Sequence, residues 1–140
     1  MYTIEEFDRQ KTKIFKYIMF KKRTENEIRN KFKQQIEDNM LEDIIEYLKE
    51  AGYVNDYHFI EKQVNEYMKL KNMSIQEIKY KLLTKGIDKK LIEKYIEENR
   101  DELEEYERKS AENIRNKKAS KMEEQEINQY LYKKGYKIVD

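Results

Sequence analysis

Residues 74–96 read SIQEIKYKLLTKGIDKKLIEKYI. Ser74 followed three positions later by Glu77 is the pattern in which a hydroxyl and a carboxylate each take the other's backbone N–H at a helix start. Ile78, Leu82 and Leu83 then recur at helical spacing, which predicts a helix that buries one stripe. Gly86 stops that helix, since a left-handed backbone costs glycine nothing. Ile87 packs back, Asp88 caps the next helix, and Leu91, Ile92, Tyr95 and Ile96 form its apolar stripe. Ahead of Ser74, Phe59, Ile60, Val64, Tyr67 and Met68 mark a first helix between Tyr57 and Asn72. The stretch predicts a three-helix unit with a glycine turn between its second and third helices.

The same order recurs at a spacing of roughly fifty residues. Upstream, Ile14, Phe15, Ile18 and Met19 share a helix face; Thr24-Glu25-Asn26-Glu27 is a second capping box ahead of Ile28 and Phe32; and Met40, Leu41, Ile44, Ile45 and Leu48 lie on a third helix. Laying Met40-Leu41 on Leu91-Ile92 sets Gln35 where Gly86 stands and drops one residue between Phe32 and Ile36, so the first unit's middle turn is expected to be irregular. Downstream, a long helix from about Asp101 to Asn116 is followed by a basic link at Lys117 and Lys118. A helix carrying Ile127, Tyr130 and Leu131 then ends at Gly135-Tyr136. The expected fold is all-α, an elongated tandem array of three-helix repeats: 1–55, 56–100 and 101–140. The last repeat lacks most of its third helix, so its apolar face should be incompletely covered and its end frayed.

Composition agrees. Proline is absent and there are only three glycines, which removes most strand and turn punctuation. An apolar share of 38% against 42% charged residues suits thin helical layers better than one thick core. There is no cysteine, hence no disulfide framework or thiolate metal site. No apolar run approaches membrane-spanning length and no signal-peptide pattern opens the chain, so a soluble cytoplasmic protein is expected.

Catalytic chemistry is thin. His58 is the only histidine, and without cysteine a structural zinc site would need an unusual carboxylate set, so it reads as a helix-start surface residue. Glu25 and Glu27, like Glu123, Glu124 and Glu126, suit helix starts better than an acid–base pair. Three scattered glycines build no phosphate-cradling loop. No catalytic residue, metal or cofactor is expected. The net charge is only +1, but it is uneven: Lys62 to Lys94 holds nine lysines against Glu66, Glu77, Asp88 and Glu93, whereas Glu97 to Glu107 holds seven acids and Arg100. Lys69, Lys71, Lys79, Lys81 and Lys85, placed on the first two helices of the middle unit, are the candidate partner-binding residues, weighed against a simple solvated face. Tyr53, Tyr67, Tyr80, Tyr95 and Tyr130 suit core or rim packing, with base stacking as the alternative.

Between the first two units the chain reads Tyr47-Leu48-Lys49-Glu50-Ala51-Gly52-Tyr53-Val54-Asn55-Asp56-Tyr57-His58-Phe59. Gly52, Tyr53, Val54, Asn55, Asp56 and Phe59 resemble, position by position, the junction of the RecX family, in which the phenylalanine enters the core. Lys85-Gly86-Ile87-Asp88 resembles that family's second junction, and Lys134-Gly135-Tyr136 the third. The likeness runs from about Thr12 to Tyr136. It implies a tandem array of three-helix repeats lying along the groove of a RecA filament on single-stranded DNA; a monomer without enzymatic activity is expected. Such a protein would suppress the filament's ATPase, strand exchange and coprotease activity in DNA repair, recombination and the SOS response. Lysines stand where the family usually has arginines, and lysine lacks the planar fork of a guanidinium. A direct binder of single- or double-stranded DNA is the alternative, although no unit shows the arginine and amide set of a base reader; a helical adaptor for some other partner is a third reading.

Overall fold

Helices begin where a side chain can take the N–H groups that a first turn leaves open. In the computed structural model, which describes residues 2–137, Thr3 Oγ1 accepts from Glu6 N at 3.1 Å while Glu6 Oε2 accepts from Thr3 N at 3.3 Å, starting α1 (Ile4–Phe20). Thr24 and Glu27 repeat the exchange at 3.1 and 3.0 Å ahead of α2 (Glu25–Phe32). The Glu37 carboxylate caps Met40 N at 3.1 Å at the start of α3 (Asp38–Glu50). Asn55 Oδ1 caps His58 N at 2.9 Å in α4 (Asp56–Leu70). Ser74 and Glu77 form the box read from the sequence, both bonds at 3.0 Å, before α5 (Ile75–Thr84). Asp88 takes Lys90 N before α6 (Lys89–Glu98). Two helices follow, α7 (Arg100–Lys118) and α8 (Glu124–Lys133). The described residues thus hold eight helices and no strand, as the sequence predicts.

Two units can be described separately. The first runs to Phe59 and takes in Lys85–Ile87. Its core is Ile14 and Ile18 of α1, Ile28 and Phe32 of α2, and Ile36, Met40, Leu41, Ile44, Ile45 and Leu48 on and before α3, closed by Val54. Each such aliphatic side chain removed from water contributes about 1.5–3 kcal/mol. Tyr17 meets Phe32 edge-on at 5.5 Å, and Arg23 lies 4.3 Å above the other part of that aromatic pair, Tyr17. The second unit holds Ile60–Thr84 and the described chain from Asp88 onward. There α5 packs on α6 and α7, and α7 on α8. It buries Ile60, Val64, Tyr67, Met73, Ile78, Leu82, Ile92, Tyr95, Ile96 and Leu103, with Ile114, Ile127, Leu131 and Tyr136 as a separate cluster.

Several expected core positions are not core. Met19 is 63% exposed, since Ile14 and Ile18 already fill the inward face and the next residue on points away. Leu83 is exposed beside a fully buried Leu82 for the same reason. Phe59 is half-buried beneath Lys85, whose Nζ lies 5.9 Å from the ring, and Ile60 takes the buried place. Lys117 and Lys118 are the last turn of α7, not a link; basic side chains there complement the negative end of the helix dipole. The first unit's middle turn is irregular as anticipated. Gln35 N and Ile36 N both bond to Phe32 O, and every positive φ among the described residues belongs to a glycine, so this turn closes without one. The expected fraying falls on residues 138–140, outside the described residues. Within the described ones the last apolar face is covered: Leu131 and Tyr136 are buried, and Ser74 Oγ donates to Lys134 O at 2.5 Å.

One arrangement occurs twice and explains two glycines. In the first unit, the N-terminus of α2 receives an acid and a turn from later in the chain: Asp56 Oδ1 accepts Glu25 N at 3.1 Å, and Gly86, at φ 78°, sits so close that a Cβ there would lie 2.0 Å from Asn26 Nδ2 and 2.9 Å from Asn26 Cβ. In the second unit, the N-terminus of α5 is met in the same way. The Glu107 carboxylate accepts from Ile75 N and from Lys137 N, and Gly135, at φ 92°, would bring a Cβ to 2.7 Å from Gln76 Cβ. Each middle helix therefore offers its first N–H to a carboxylate on a following helix and its second side chain to a glycine turn. Thr24 and Ser74, at the centres of the two joints, are both fully buried.

Candidate functional site

The five candidate lysines do not form one patch. Lys69 lies near the end of α4, exposed, beside a hollow of about 450 Å³ that Glu102, Glu105 and Lys109 of α7 also line. Lys71 lies just past α4 rather than on it, because the helix ends at Leu70. The Lys71 carbonyl accepts the Tyr106 hydroxyl at 2.5 Å, which anchors the connection to α7. Lys79, half-buried on α5, is committed to Glu93 at 3.3 Å. Lys85 belongs to the glycine turn after α5, where it covers Phe59.

What the fold does bring together is Lys71 and Lys81. Their Nζ atoms stand 6.0 and 5.7 Å from the centroid of Tyr67, itself only 7% exposed. Burial raises the Tyr67 hydroxyl above its ordinary range, with the Glu66 charge adding to the shift. Attraction of an ammonium group to a ring is a modest gain of about 0.5–1 kcal/mol each at exposed sites. Among the tyrosines weighed from the sequence, Tyr67 and Tyr95 are core, Tyr53 meets Phe15 edge-on at 5.0 Å, and Tyr130 is half-buried under Lys118 at 4.3 Å. Tyr80 stands 69% in solvent.

The junction residues hold the frame. Tyr53 N and Val54 N both return to Leu48 O, at 2.9 and 3.3 Å, closing the end of α3, and Val54 is buried. Gly52 has φ 84° and open space where a Cβ would go. Asp56 and Glu107, the two joint carboxylates, both titrate above the ordinary carboxylate range. Burial is the largest cause for each, partly offset by the backbone N–H groups they accept. The opposite case is Glu42, which Arg29 grips through two bonds at 2.7 and 2.9 Å and holds below the ordinary range. Neither glutamate box at Thr3 nor the carboxylate at Glu107 stood out in the sequence. The Thr3 box has the right spacing, whereas Glu107 is a mid-helix acid that only tertiary packing brings to Ile75. His58 is exposed on the first turn of α4, and among the described residues no cluster of histidine and carboxylate side chains could hold a metal ion. No helix of the described residues is long and apolar enough to cross a membrane.

No family model matches the chain. It is 30% identical over 139 residues to the regulatory protein RecX of Clostridium beijerinckii, an alignment covering 94% of this chain and 64% of that protein. With the regulatory protein RecX of Finegoldia magna the identity is 36% over 83 residues, covering 59% of this chain and 40% of the relative. The chain thus spans between 40% and 64% of the length of these curated relatives. Among solved structures, the crystal structure of RecX from Lactobacillus salivarius matches with a TM-score of 0.81 and 21% identity, over 96% of this chain and 91% of that one, a likeness of fold.

Proposed function

The chain belongs to the RecX family of regulatory proteins, and from that premise we propose that it binds a RecA filament on single-stranded DNA and restrains its ATPase, strand exchange and coprotease activity. It acts in the cytoplasm, as a monomer, by binding rather than by catalysis. The observation that carries the reading is similarity along 94% of the chain to a regulatory RecX protein, in a chain that forms both glycine joints. We take the chain as three units, 1–55, 56–100 and 101–140.

A modular chain suits a filament. An exposed ion pair contributes only about 0.2–1 kcal/mol and is screened over roughly 8 Å at physiological salt. One unit's lysines would bind such a partner weakly, and linked units gain through effective concentration when their spacing matches the partner's repeat. Lys71 and Lys81, set together on Tyr67, are the first contacts to test, with Lys69 and Lys85 beside them. Lys79 is paired with Glu93. Co-sedimentation with RecA filaments assembled on single-stranded DNA tests the reading. The protein should pellet with filaments in proportion to RecA, and the Lys71→Ala, Lys81→Ala double variant should pellet less. A protein that stays in the supernatant at every RecA concentration would end the proposal.

A further inference from the structure

Tyr80 on α5 and Tyr132 on α8 are 69% and 71% exposed, unusual for residues that bury a large ring when they have a protein partner. In the sequence each is followed directly by lysine: Tyr80-Lys81 and Tyr132-Lys133-Lys134. The fold brings these two segments together. A hollow of about 370 Å³ is lined by Tyr80, Lys81, Lys133 and Lys134, with Gln76 at its edge. Lys133 also lines a second hollow of about 210 Å³ with Tyr132, Asn128 and Gln129. Among the described residues lining either hollow, Glu77 is the one carboxylate, and Lys134 pairs with it at 3.6 Å. The face is therefore cationic, and Lys133 shares one hollow with the Tyr80 ring and the other with the Tyr132 ring.

We propose that this α5–α8 face is a direct binding site for single-stranded nucleic acid, with bases on the Tyr80 and Tyr132 rings and phosphates at Lys81 and Lys133. Rings beside lysines are what a single strand uses: each base has a π-face for a ring, and each phosphate a charge for an ammonium. Duplex DNA would leave the rings idle, because its base faces are already stacked. An acidic protein segment would satisfy the lysines, but its carboxylates have no π-face to lay on the two phenol rings. Gln76 and Gln129 add amide groups without charge, which fits a strand taken with little sequence preference. The site goes beyond the filament reading, since it requires no recombinase.

The test is fluorescence anisotropy of a labelled oligothymidylate titrated with the full chain alone, over a range of salt. Binding is expected, stronger than to a duplex of the same length. The Tyr80→Ala, Tyr132→Ala double variant should bind at least about fivefold more weakly, the smallest loss expected from one lost stack, with an unchanged salt slope. Lys81→Ala with Lys133→Ala should flatten the slope by about 0.7 per lysine. All four side chains line open surface, so thermal melts of the variants should match the parent, and a variant that melts early is replaced by Tyr80→Leu with Tyr132→Leu, which keeps apolar bulk and removes the ring. No binding at low salt, preference for duplex, or full binding by the ring variants would each overturn the proposal. Loss of filament binding alongside intact oligothymidylate binding would count against the filament reading and leave this one standing.

Discussion

Alanine at the three glycines should cost stability in the order Gly135, Gly86, Gly52, because the three share a backbone conformation and differ in what surrounds them. All have positive φ, 92°, 78° and 84° respectively. The left-handed conformation costs an alanine about 1–2 kcal/mol wherever it occurs. At Gly52 that is the whole cost, since a Cβ meets nothing within 4 Å. At Gly86 the added carbon lies 2.0 Å from Asn26 Nδ2, an amide that can rotate aside, but also 2.9 Å from Asn26 Cβ, which cannot. At Gly135 it lies 2.7 Å from Gln76 Cβ and 3.2 Å from Ser74 Oγ, an atom already held by two hydrogen bonds, so the turn itself must lift. Overpacking of this kind adds about 1–3 kcal/mol. The expected losses are then about 1–2 kcal/mol for Gly52→Ala and about 2–5 kcal/mol for the two joint variants, Gly135→Ala the larger. Urea unfolding followed by far-ultraviolet circular dichroism measures them. The double variant Gly86→Ala, Asn26→Ala should recover part of the Gly86→Ala loss, since coupled sites depart from additivity. Equal losses at all three glycines, with no recovery in the double variant, would refute the joint as the reason for Gly86 and Gly135.

Two further outcomes follow from the second joint. Ser74→Ala removes both the α5 cap and the bond to Lys134 O in a fully buried place, so it should cost more than the typical cap loss of about 1 kcal/mol, read as a lowered urea midpoint at unchanged m-value. Glu107 titrates above the ordinary carboxylate range because it is buried, so its charged form costs stability above its folded pKa, and that cost disappears as the pH falls below its unfolded value. The stability of the parent relative to Glu107→Gln should therefore improve as the pH is lowered from neutral toward the ordinary carboxylate range, the reverse of the trend at Glu42, whose pairing with Arg29 is lost on acidification. A difference that is flat with pH would show that Glu107 is not the titrating group.

Much of the fold was legible because its signals are local. The Thr24 and Ser74 boxes lie within four residues of sequence, and the turn glycines at 52, 86 and 135 announce a backbone that other residues avoid. The misreadings share a cause. Met19 and Leu83 follow residues that do point inward, and a stripe read by spacing alone does not say which of two neighbouring apolar residues faces the core. Phe59 reads as core from its junction motif, yet Ile60 has the better-placed side chain and Phe59 is left to cover the Lys85 stem. The joints were half legible: the glycines could be seen, but their partners Asn26 and Gln76 are some sixty residues away and look like ordinary surface amides. The lysines were least legible. Spacing places Lys79 and Lys81 on one helix, but only the packed structure gives Lys79 to Glu93 and sends Lys71 and Lys81 to one ring.

The most direct measurement of the central claim is single-strand-dependent ATP hydrolysis by RecA, titrated with this protein at two concentrations of DNA. Regulation of the filament predicts inhibition that follows the ratio of protein to RecA and that, in the Tyr80→Ala, Tyr132→Ala variant, is unmoved by excess DNA. Hydrolysis that is unaffected at saturating protein, or inhibition by that variant that excess DNA abolishes, would contradict it.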